Sequence, residues 1–175
     1  MEPRVAQRKA DAADRAATFE ALVGPWVNEM YRVAAAVVGE RDARDVTQDA
    51  LVDAWRGFGG QRDPDRTRAW LHAIVANRCR KHLRSARSRP RLAALDLPEI
   101  AVPDAADALA EHDRLSRAFE SLNADQRIAV VLHHVLDLSV PRIAVTLAVP
   151  EGTVKSRLHA GLEQLRAALE QDADR

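Results

Sequence analysis

Residues 138–166, which read LSVPRIAVTLAVPEGTVKSRLHAGLEQLR, decide how the rest of the chain is interpreted. Apolar residues recur at helical spacing on either side of residues 148–150, which predicts two helices joined by a tight turn. Pro150 ends the first helix, because the residue before a proline is disfavoured in the helical conformation. Ser139 is placed to cap that helix, and Pro141 is tolerated in its first turn.

The second helix of this pair is polar on its leading turns and apolar on its inner face. The residues predicted to face outward near its N-terminus are Thr153, Lys155, Ser156, Arg157 and His159. Cationic and polar side chains in these positions are what reading the major groove of DNA requires. The stretch therefore favours a helix-turn-helix, although an ordinary pair of antiparallel helices with a solvated polar face shows the same spacing.

Charge is sorted along the chain, and the net charge of zero conceals this. Residues 61–91 contain ten Lys and Arg against two Asp, whereas residues 92–121 contain two Arg against seven acids. Residues 21–60 are also acidic, with four Arg against six acids. Segments of opposite charge imply different partners, and the basic segment is suited to nucleic acid.

The first half of the chain shows apolar residues at helical spacing from residue 18 to residue 85. Breaks at Gly24-Pro25 and at Gly39 separate the helices, and a polar loop follows Gly57. Asp42 and Thr67 are the predicted N-caps of the last two helices. These helices have matching apolar faces and predict one compact domain.

Residues 86–107 lose helical periodicity and contain three prolines, which predicts a flexible linker. Helices resume after it, and Asn123 with Gln126 forms a capping-box pattern. No β pattern appears, so the predicted fold class is all-α, with two small helical domains. The predicted divisions are a flexible N-terminal tail (1–17), a first domain (18–85), the linker (86–107) and a second domain with the helix-turn-helix (108–170).

Three segments of the chain resemble the extracytoplasmic-function (ECF, group 4) RNA polymerase sigma factors of the bacterial sigma-70 family. DARDVTQDALVDAWRGF at 42–58 resembles the region 2 helix that docks on the polymerase clamp. TRAWLHAIVANRCRKHLR at 67–84 resembles the helix that contacts the −10 element, and residues 121–166 resemble region 4, which reads the −35 element. The order of these segments, with a proline-containing linker between them, makes the combination specific.

The chain departs from the family pattern at three places. Arg142 stands where an acidic residue is usual, and Ala148 stands where glycine is common. Thr67-Arg68 precede the AWL segment where the family often has an aromatic residue. These departures bear on which promoter sequence is read, and Ala148 would be strained by about 1 kcal/mol if its backbone were left-handed.

The resemblance implies an alternative sigma factor that binds core RNA polymerase, directs it to −10 and −35 elements and assists promoter melting. The implied partners are the β′ clamp and β flap of the polymerase, promoter DNA (double-stranded at −35, single-stranded at −10) and an anti-sigma factor. A helix-turn-helix regulator that acts without polymerase is the alternative. The acidic segment 42–58 and the two-domain layout argue against that alternative, because a simple repressor needs neither.

The resemblance also implies three sets of contact residues. Those for core polymerase are Asp45, Gln48, Asp49, Asp53 and Trp55, of which Trp55 is also a candidate for the core. Those for the −10 element are Arg62, Arg66, Arg68, Asn77, Arg80, Lys81 and Arg84, with the loop at 59–66 forming a pocket for a flipped base. Those for the −35 element are Arg127, Arg142, Glu151, Gly152, Thr153, Lys155, Ser156, Arg157 and His159.

The linker carries four acids spaced like the charges of a short nucleic acid: Asp96, Glu99, Asp104 and Asp107. One hypothesis is that they occupy a basic RNA path on the polymerase and are displaced as the transcript grows. The alternative is that they keep the linker solvated.

Enzymatic and metal-binding classes receive no support from the sequence. It contains no phosphate-binding Walker loop, no HExxH and no nucleophile elbow, so neither catalysis nor a cofactor is predicted. His133 and His134 are adjacent and would diverge by about 100° on a helix, which disfavours a shared metal. The single cysteine, Cys79, and the absence of a long apolar segment predict a cytoplasmic protein without membrane insertion. The resemblance to sigma factors implies that it is associated with the nucleoid when active.

Overall fold

The computed structural model describes the backbone of residues 3–59, 64–87 and 114–173 and the side chains of residues 11–59, 66–85 and 114–172. Within these ranges every regular element is a helix, which confirms the predicted all-α class. The chain divides into two compact units, one ending at Arg78 and the other beginning at Cys79. The predicted linker lies outside the described residues except for its first two positions.

The helices before the linker are α1 (Pro3–Val23), α2 (Val27–Val38), α3 (Glu40–Gly57) and α4 (Pro64–Arg87), with a 3-10 turn at Gly24–Trp26. The turn falls at the predicted Gly24-Pro25 break. The core of the first unit is formed by side chains of α2, α3 and α4, including the fully buried Met30, Val33 and Leu71. Alanines of α3 at positions 43, 50 and 54 are also fully buried and allow close packing of the helices.

Helix α1 differs from the prediction of a flexible tail, because residues 3–17 are helical. This segment is rich in alanine and in charged residues of high helix propensity, which favour a helix. The prediction of a flexible tail followed instead from the absence of an apolar stripe. The helix is anchored on the end of α3 by Phe19, whose ring meets Trp55 and Phe58 edge-on at centroid distances of 5.1 and 5.4 Å. Burial of aromatic faces is therefore what holds α1 in place.

The predicted caps of α3 and α4 are wrong. Gly39, with φ 90° and ψ 157°, is the N-cap of α3, and Asp42 lies in the first turn, where a carboxylate favours the helix dipole. Helix α4 begins at Pro64, so Thr67 is an interior residue and is fully buried. The helices therefore start with Gly39 as the N-cap of α3 and Pro64 as the first residue of α4, and not with the carboxylate of Asp42 and the hydroxyl of Thr67 that the spacing predicts.

The second unit contains α5 (114–120), α6 (Ala124–His134), α7 (Val140–Leu147) and α8 (Glu151–Ala173). The capping box at the start of α6 is confirmed, because Asn123 and Gln126 exchange side-chain and backbone hydrogen bonds of 2.9 Å. Ile128, Leu132 and Ile143 are fully buried at the centre of the unit. Cys79 is buried, and burial raises the pKa of its thiol to about 12, so it stays protonated.

Helices α7 and α8 form the predicted helix-turn-helix. Ser139 is the N-cap of α7, although its hydroxyl makes no capping hydrogen bond, and Pro141 lies in the first turn. Ala148 ends α7 in the left-handed conformation, with φ 52° and ψ 47°. Its backbone N–H donates to the carbonyls of Ala144 and Val145, so the tight turn depends on a conformation that costs an alanine about 1 kcal/mol.

Replacing Ala148 with glycine is expected to raise the free energy of unfolding of the second unit by about 1 kcal/mol, because glycine adopts this conformation without strain. Ala148 is exposed, so its methyl group leaves no cavity. Chemical denaturation followed by circular dichroism measures the change. Ala167→Gly, at an exposed position inside α8, is the matched control and should lower stability by about 1 kcal/mol. A loss of stability in both variants would contradict the expectation.

Candidate nucleic-acid and polymerase-binding surfaces

The N-terminal turns of α8 present polar side chains to solvent. Lys155, Ser156 and His159 are exposed, as are Glu151 and Gly152 before them, while Thr153 is half-buried. Ser156 donates a local hydrogen bond to the carbonyl of Thr153 at 3.0 Å. On the opposite side Val154 and Leu158 are buried, which fixes the orientation of the helix. The exposed turns form a continuous polar surface at the leading end of the helix.

Arg157 is turned away from this surface. Its Nη2 lies 3.1 Å from Oδ2 of Asp125 at the start of α6, and its side chain is 22% exposed. Arg80, which falls in the same unit, places its Nε 2.6 Å from Oδ1 of the same carboxylate. Burial raises the pKa of Asp125, but the hydrogen bond from Arg80 and the charges of Arg80 and Arg157 outweigh it, so that pKa is lowered. Asp125 therefore stays ionised and holds both guanidinium groups, and sequence reasoning missed it because its partners are 45 and 32 positions away.

The other two arginines of the −35 set lie in different environments. Arg127 donates from Nη2 to the carbonyl of Phe119 at the end of α5, so it connects two helices of the unit. Arg142 is exposed on α7.

Helix α4 carries an exposed basic face. Arg66, Asn77, Lys81 and Arg84 are exposed, and their separations of 11, 4 and 3 residues are close to whole turns, so they share one side of the helix. Asn77 offers both a donor and an acceptor to a base edge. Arg62 and most of the predicted pocket loop lie outside the described residues.

Arg68 lies on another side of α4, because it is nine residues, or two and a half turns, from Asn77. Its Nε donates to Oε1 of Glu29 at 2.8 Å, and its guanidinium carbon lies 5.4 Å from the centre of the Trp26 ring. His72, which is buried, places Nε2 2.5 Å from the same carboxylate oxygen. Burial raises the pKa of Glu29, but the bonds and charges of Arg68 and His72 outweigh it and lower that pKa. This cluster fastens α4 to the start of α2.

The acidic face of α3 is divided between solvent and an internal partner. Asp45 and Gln48 are exposed. Asp53 accepts hydrogen bonds from Nε and Nη2 of Arg78, and Asp49 lies 3.2 Å from Nη1 of the same side chain. In the sequence Arg78 is only one of the cations of the basic segment 61–91. Its ion pairs could not be predicted, because Asp53 and Asp49 are 25 and 29 residues away from it.

Trp55 is neither fully buried nor fully exposed. Arg15 of α1 covers its ring, with the guanidinium carbon 4.7 Å from the ring centre. The same arginine donates from Nη2 to the carbonyls of Trp55 and Phe58, at 3.2 and 3.3 Å. Trp55 was predicted to be a core residue or an interface anchor, and the structure shows in addition that it contacts α1.

The described ranges also bear on the metal-binding and membrane-spanning classes of protein. They contain no group of three or more His, Cys, Asp or Glu side chains suited to a metal ion. None of the helices described is sufficiently long and apolar to cross a membrane.

The fold and these surfaces define a class of protein, one with a helical first unit, a helix-turn-helix in the second and exposed basic helix faces. Residues 22–89 match the family described as "Sigma-70 region 2", and residues 112–165 match "Sigma-70, region 4". The ECF RNA polymerase sigma factor SigL of Mycobacterium tuberculosis is 32% identical, over 91% of this chain and 93% of SigL. The chain belongs to the ECF group of the sigma-70 family.

Two solved structures share the fold. CnrH in complex with the cytosolic domain of CnrY is 26% identical, covers 88% of each chain and has a TM-score of 0.59. RpoE of Bartonella quintana in complex with the anti-sigma factor NepR is 23% identical, covers 87% of this chain and 96% of RpoE, and also has a TM-score of 0.59. The protein is an alternative sigma factor that binds RNA polymerase to initiate transcription, and a regulator acting without polymerase is not favoured.

Proposed function

We propose that three exposed surfaces divide the work of promoter recognition: α8 for the −35 element, α4 for the −10 element and α3 for core polymerase. The observation that carries this division is that each helix turns polar side chains to solvent while its apolar side is buried. The predicted domains at 18–85 and 108–170, with the linker between them, would carry these surfaces. The boundary between the compact units, at Arg78 and Cys79, falls inside the first of these domains.

The −35 surface consists of the leading turns of α8. The helix N-terminus at Glu151, Gly152 and Thr153 offers backbone N–H groups to a phosphate, and Lys155, Ser156 and His159 enter the major groove. Arg142 contacts the backbone of the DNA. Arg157 and Arg127 act mainly by fixing α8 and α6, because both are engaged within the unit.

The −10 surface is the basic face of α4. Arg66, Lys81 and Arg84 neutralise phosphates of the melted strand, and Asn77 contacts a base. Arg62 belongs to this set by its sequence position. Arg68 and Arg80 act by holding α4 in position, because each is paired with a carboxylate, Arg68 with Glu29 and Arg80 with Asp125.

The polymerase surface is the exposed part of α3, with Asp45 and Gln48 at its centre and Asp49, Asp53 and Trp55 at its edge. Its acidic character suits a basic face of the β′ clamp, and the second unit would engage the β flap. An anti-sigma factor is a further proposed partner, supported by CnrH, which was solved with the cytosolic domain of another protein. The chain would act in the cytoplasm, associated with the nucleoid when active, without catalysis, metal or cofactor.

Reconstitution with core polymerase and a library of randomised promoters tests the function as a whole. Start sites should cluster downstream of defined −35 and −10 sequences. Initiation no higher than that of core polymerase alone would remove the proposal.

Reversing the charge of Asp45 with lysine is expected to weaken binding to core polymerase about fivefold, because an exposed interface charge contributes on the order of 1 kcal/mol. Fluorescence anisotropy of labelled protein titrated with core polymerase measures it. Glu170→Lys, at an exposed position near the end of α8, is the control and should leave the affinity unchanged. Equal losses in the two variants would place the interface elsewhere.

A further inference from the structure

Most of helix α1 precedes the segment that matches the Sigma-70 region 2 model, which begins at residue 22. Its residues 11–18 are all exposed, and among the side chains that the structure describes, which begin at residue 11, the first to be partly buried is Phe19. One side chain of this segment, Arg15, nevertheless makes three contacts with the end of α3. We name residues 11–18 the N-terminal strap.

We propose that the strap is an autoinhibitory element, in which Arg15 covers Trp55 and must lift before that ring can anchor core polymerase. The proposal rests on the proposed function of α3. It assigns Trp55 to the polymerase interface and Arg15 to its control.

The position of Trp55 on α3 supports an interface role. It lies seven residues, or two turns, after Gln48, so both belong to the same side of the helix. Between them Val52 is 40% exposed. A polar residue followed by exposed apolar surface along one helix side is the composition of a protein-binding surface, in which aromatic residues contribute the most energy.

The contacts of Arg15 are strong enough to hold the strap in place. The guanidinium lies over the Trp55 ring within the distance of a cation–π interaction, and Nη2 reaches the carbonyls of Trp55 and Phe58 at the C-terminal end of α3. The Trp55 carbonyl also accepts a hydrogen bond from the backbone N–H of Phe58 at 3.3 Å, and a cation at this C-terminal end of α3 is favoured by the helix dipole. A partner that takes over the ring must first displace this side chain.

The rest of the strap offers little resistance to being lifted. Because residues 11–18 bury no side chain, opening the strap exposes no apolar core, and segments of this kind open at low free energy. Phe19 remains packed against Trp55 and Phe58 and would serve as the hinge end. The strap can therefore compete with polymerase without determining the fold of the first unit.

The test is a double-mutant cycle on the affinity of the full-length protein for core polymerase. Arg15→Ala is expected to tighten binding three- to fivefold, and Arg15→Lys should give a smaller gain, since lysine keeps the charge but cannot stack its planar group. Trp55→Ala should weaken binding, and Arg15→Ala added to Trp55→Ala should produce no gain. Deleting residues 1–17 should reproduce the effect of Arg15→Ala.

A purely structural role for Arg15, as a cap of α3, leads to different results. The unfolding temperature of Arg15→Ala would then fall, while its affinity for core polymerase stayed the same or decreased. An unchanged affinity and a decreased affinity would each overturn the proposal. A tightening that persists in the Trp55→Ala background also overturns it. Asp45→Lys separates this failure from that of the proposed function: if it and the wild type bind core polymerase equally, α3 is not the docking surface at all.

Discussion

Replacing Lys155 with glutamate is expected to reduce transcription from a promoter with a −35 element about 30-fold. Lys155 is exposed on the second turn of α8, where the recognition helix of a helix-turn-helix meets base edges. Losing a direct groove contact costs about 2 kcal/mol, and a factor of ten corresponds to 1.4 kcal/mol. A carboxylate facing phosphates adds repulsion and should also reduce the dependence of binding on salt.

Arg166→Glu is the matched control for this prediction. It makes the same change of charge at an exposed position eleven residues later on the same side of α8, about 16 Å along the helix. In vitro transcription from promoters with intact and scrambled −35 elements measures the effect, and binding to core polymerase should stay within about twofold in both variants. If Arg166→Glu lost as much activity as Lys155→Glu, the groove contact would not be at the leading turns.

Arg157 is less informative for this purpose, although its sequence position invites the experiment. Its ion pair with Asp125 ties α8 to α6. Arg157→Ala would therefore remove one of the two arginine partners of the half-buried Asp125 carboxylate. The variant would lose stability as well as DNA binding, so the two effects could not be separated.

Replacing Gly161 with leucine is expected to lower the free energy of unfolding of the second unit by about 3 kcal/mol. Gly161 is buried in α8, and a Cβ atom there would lie 3.0 Å from Cγ2 of Val130 and 3.5 Å from Cβ of Gln126, both on α6. A leucine side chain adds three more carbons to that contact and forces the two helices apart. The higher helix propensity of leucine returns about 1 kcal/mol at most.

The chain provides its own internal control for Gly161→Leu. All three tryptophans, Trp26, Trp55 and Trp70, lie in the first unit, so tryptophan fluorescence during denaturation reports that unit alone. Its transition should not move, while hydrogen exchange of the α6 and α8 amides should accelerate. Gly152→Leu, at a position with open space around it, is the matched control and should leave exchange in α6 unchanged. Retained protection in Gly161→Leu would contradict the close approach of the two helices.

The sequence predicted the elements well wherever the signal was local. Periodicity placed α2, α3 and the two helices of the helix-turn-helix, and Asn123 with Gln126 formed the capping box that their three-residue spacing predicts. The caps at Asp42 and Thr67 were wrong because several residue types compete for a helix start, and the choice depends on the backbone of the preceding residues. Helix α1 was missed because its stability depends on Phe19 packing against Trp55 and Phe58, about 36 to 39 residues later in the chain.

The sequence by itself determined the fold class, the family and the helices that carry each candidate surface, because amphipathic spacing and motif order are properties of neighbouring residues. Only the tertiary structure decided which charged residues on those helices remain available. Arg68, Arg157, Asp49 and Asp53 satisfied the same sequence patterns as Lys155 and Asp45, yet each has an internal partner of opposite charge 25 to 39 residues away. Such pairing depends on how helices pack side by side, and the periodicity of a single helix contains no information about its neighbours.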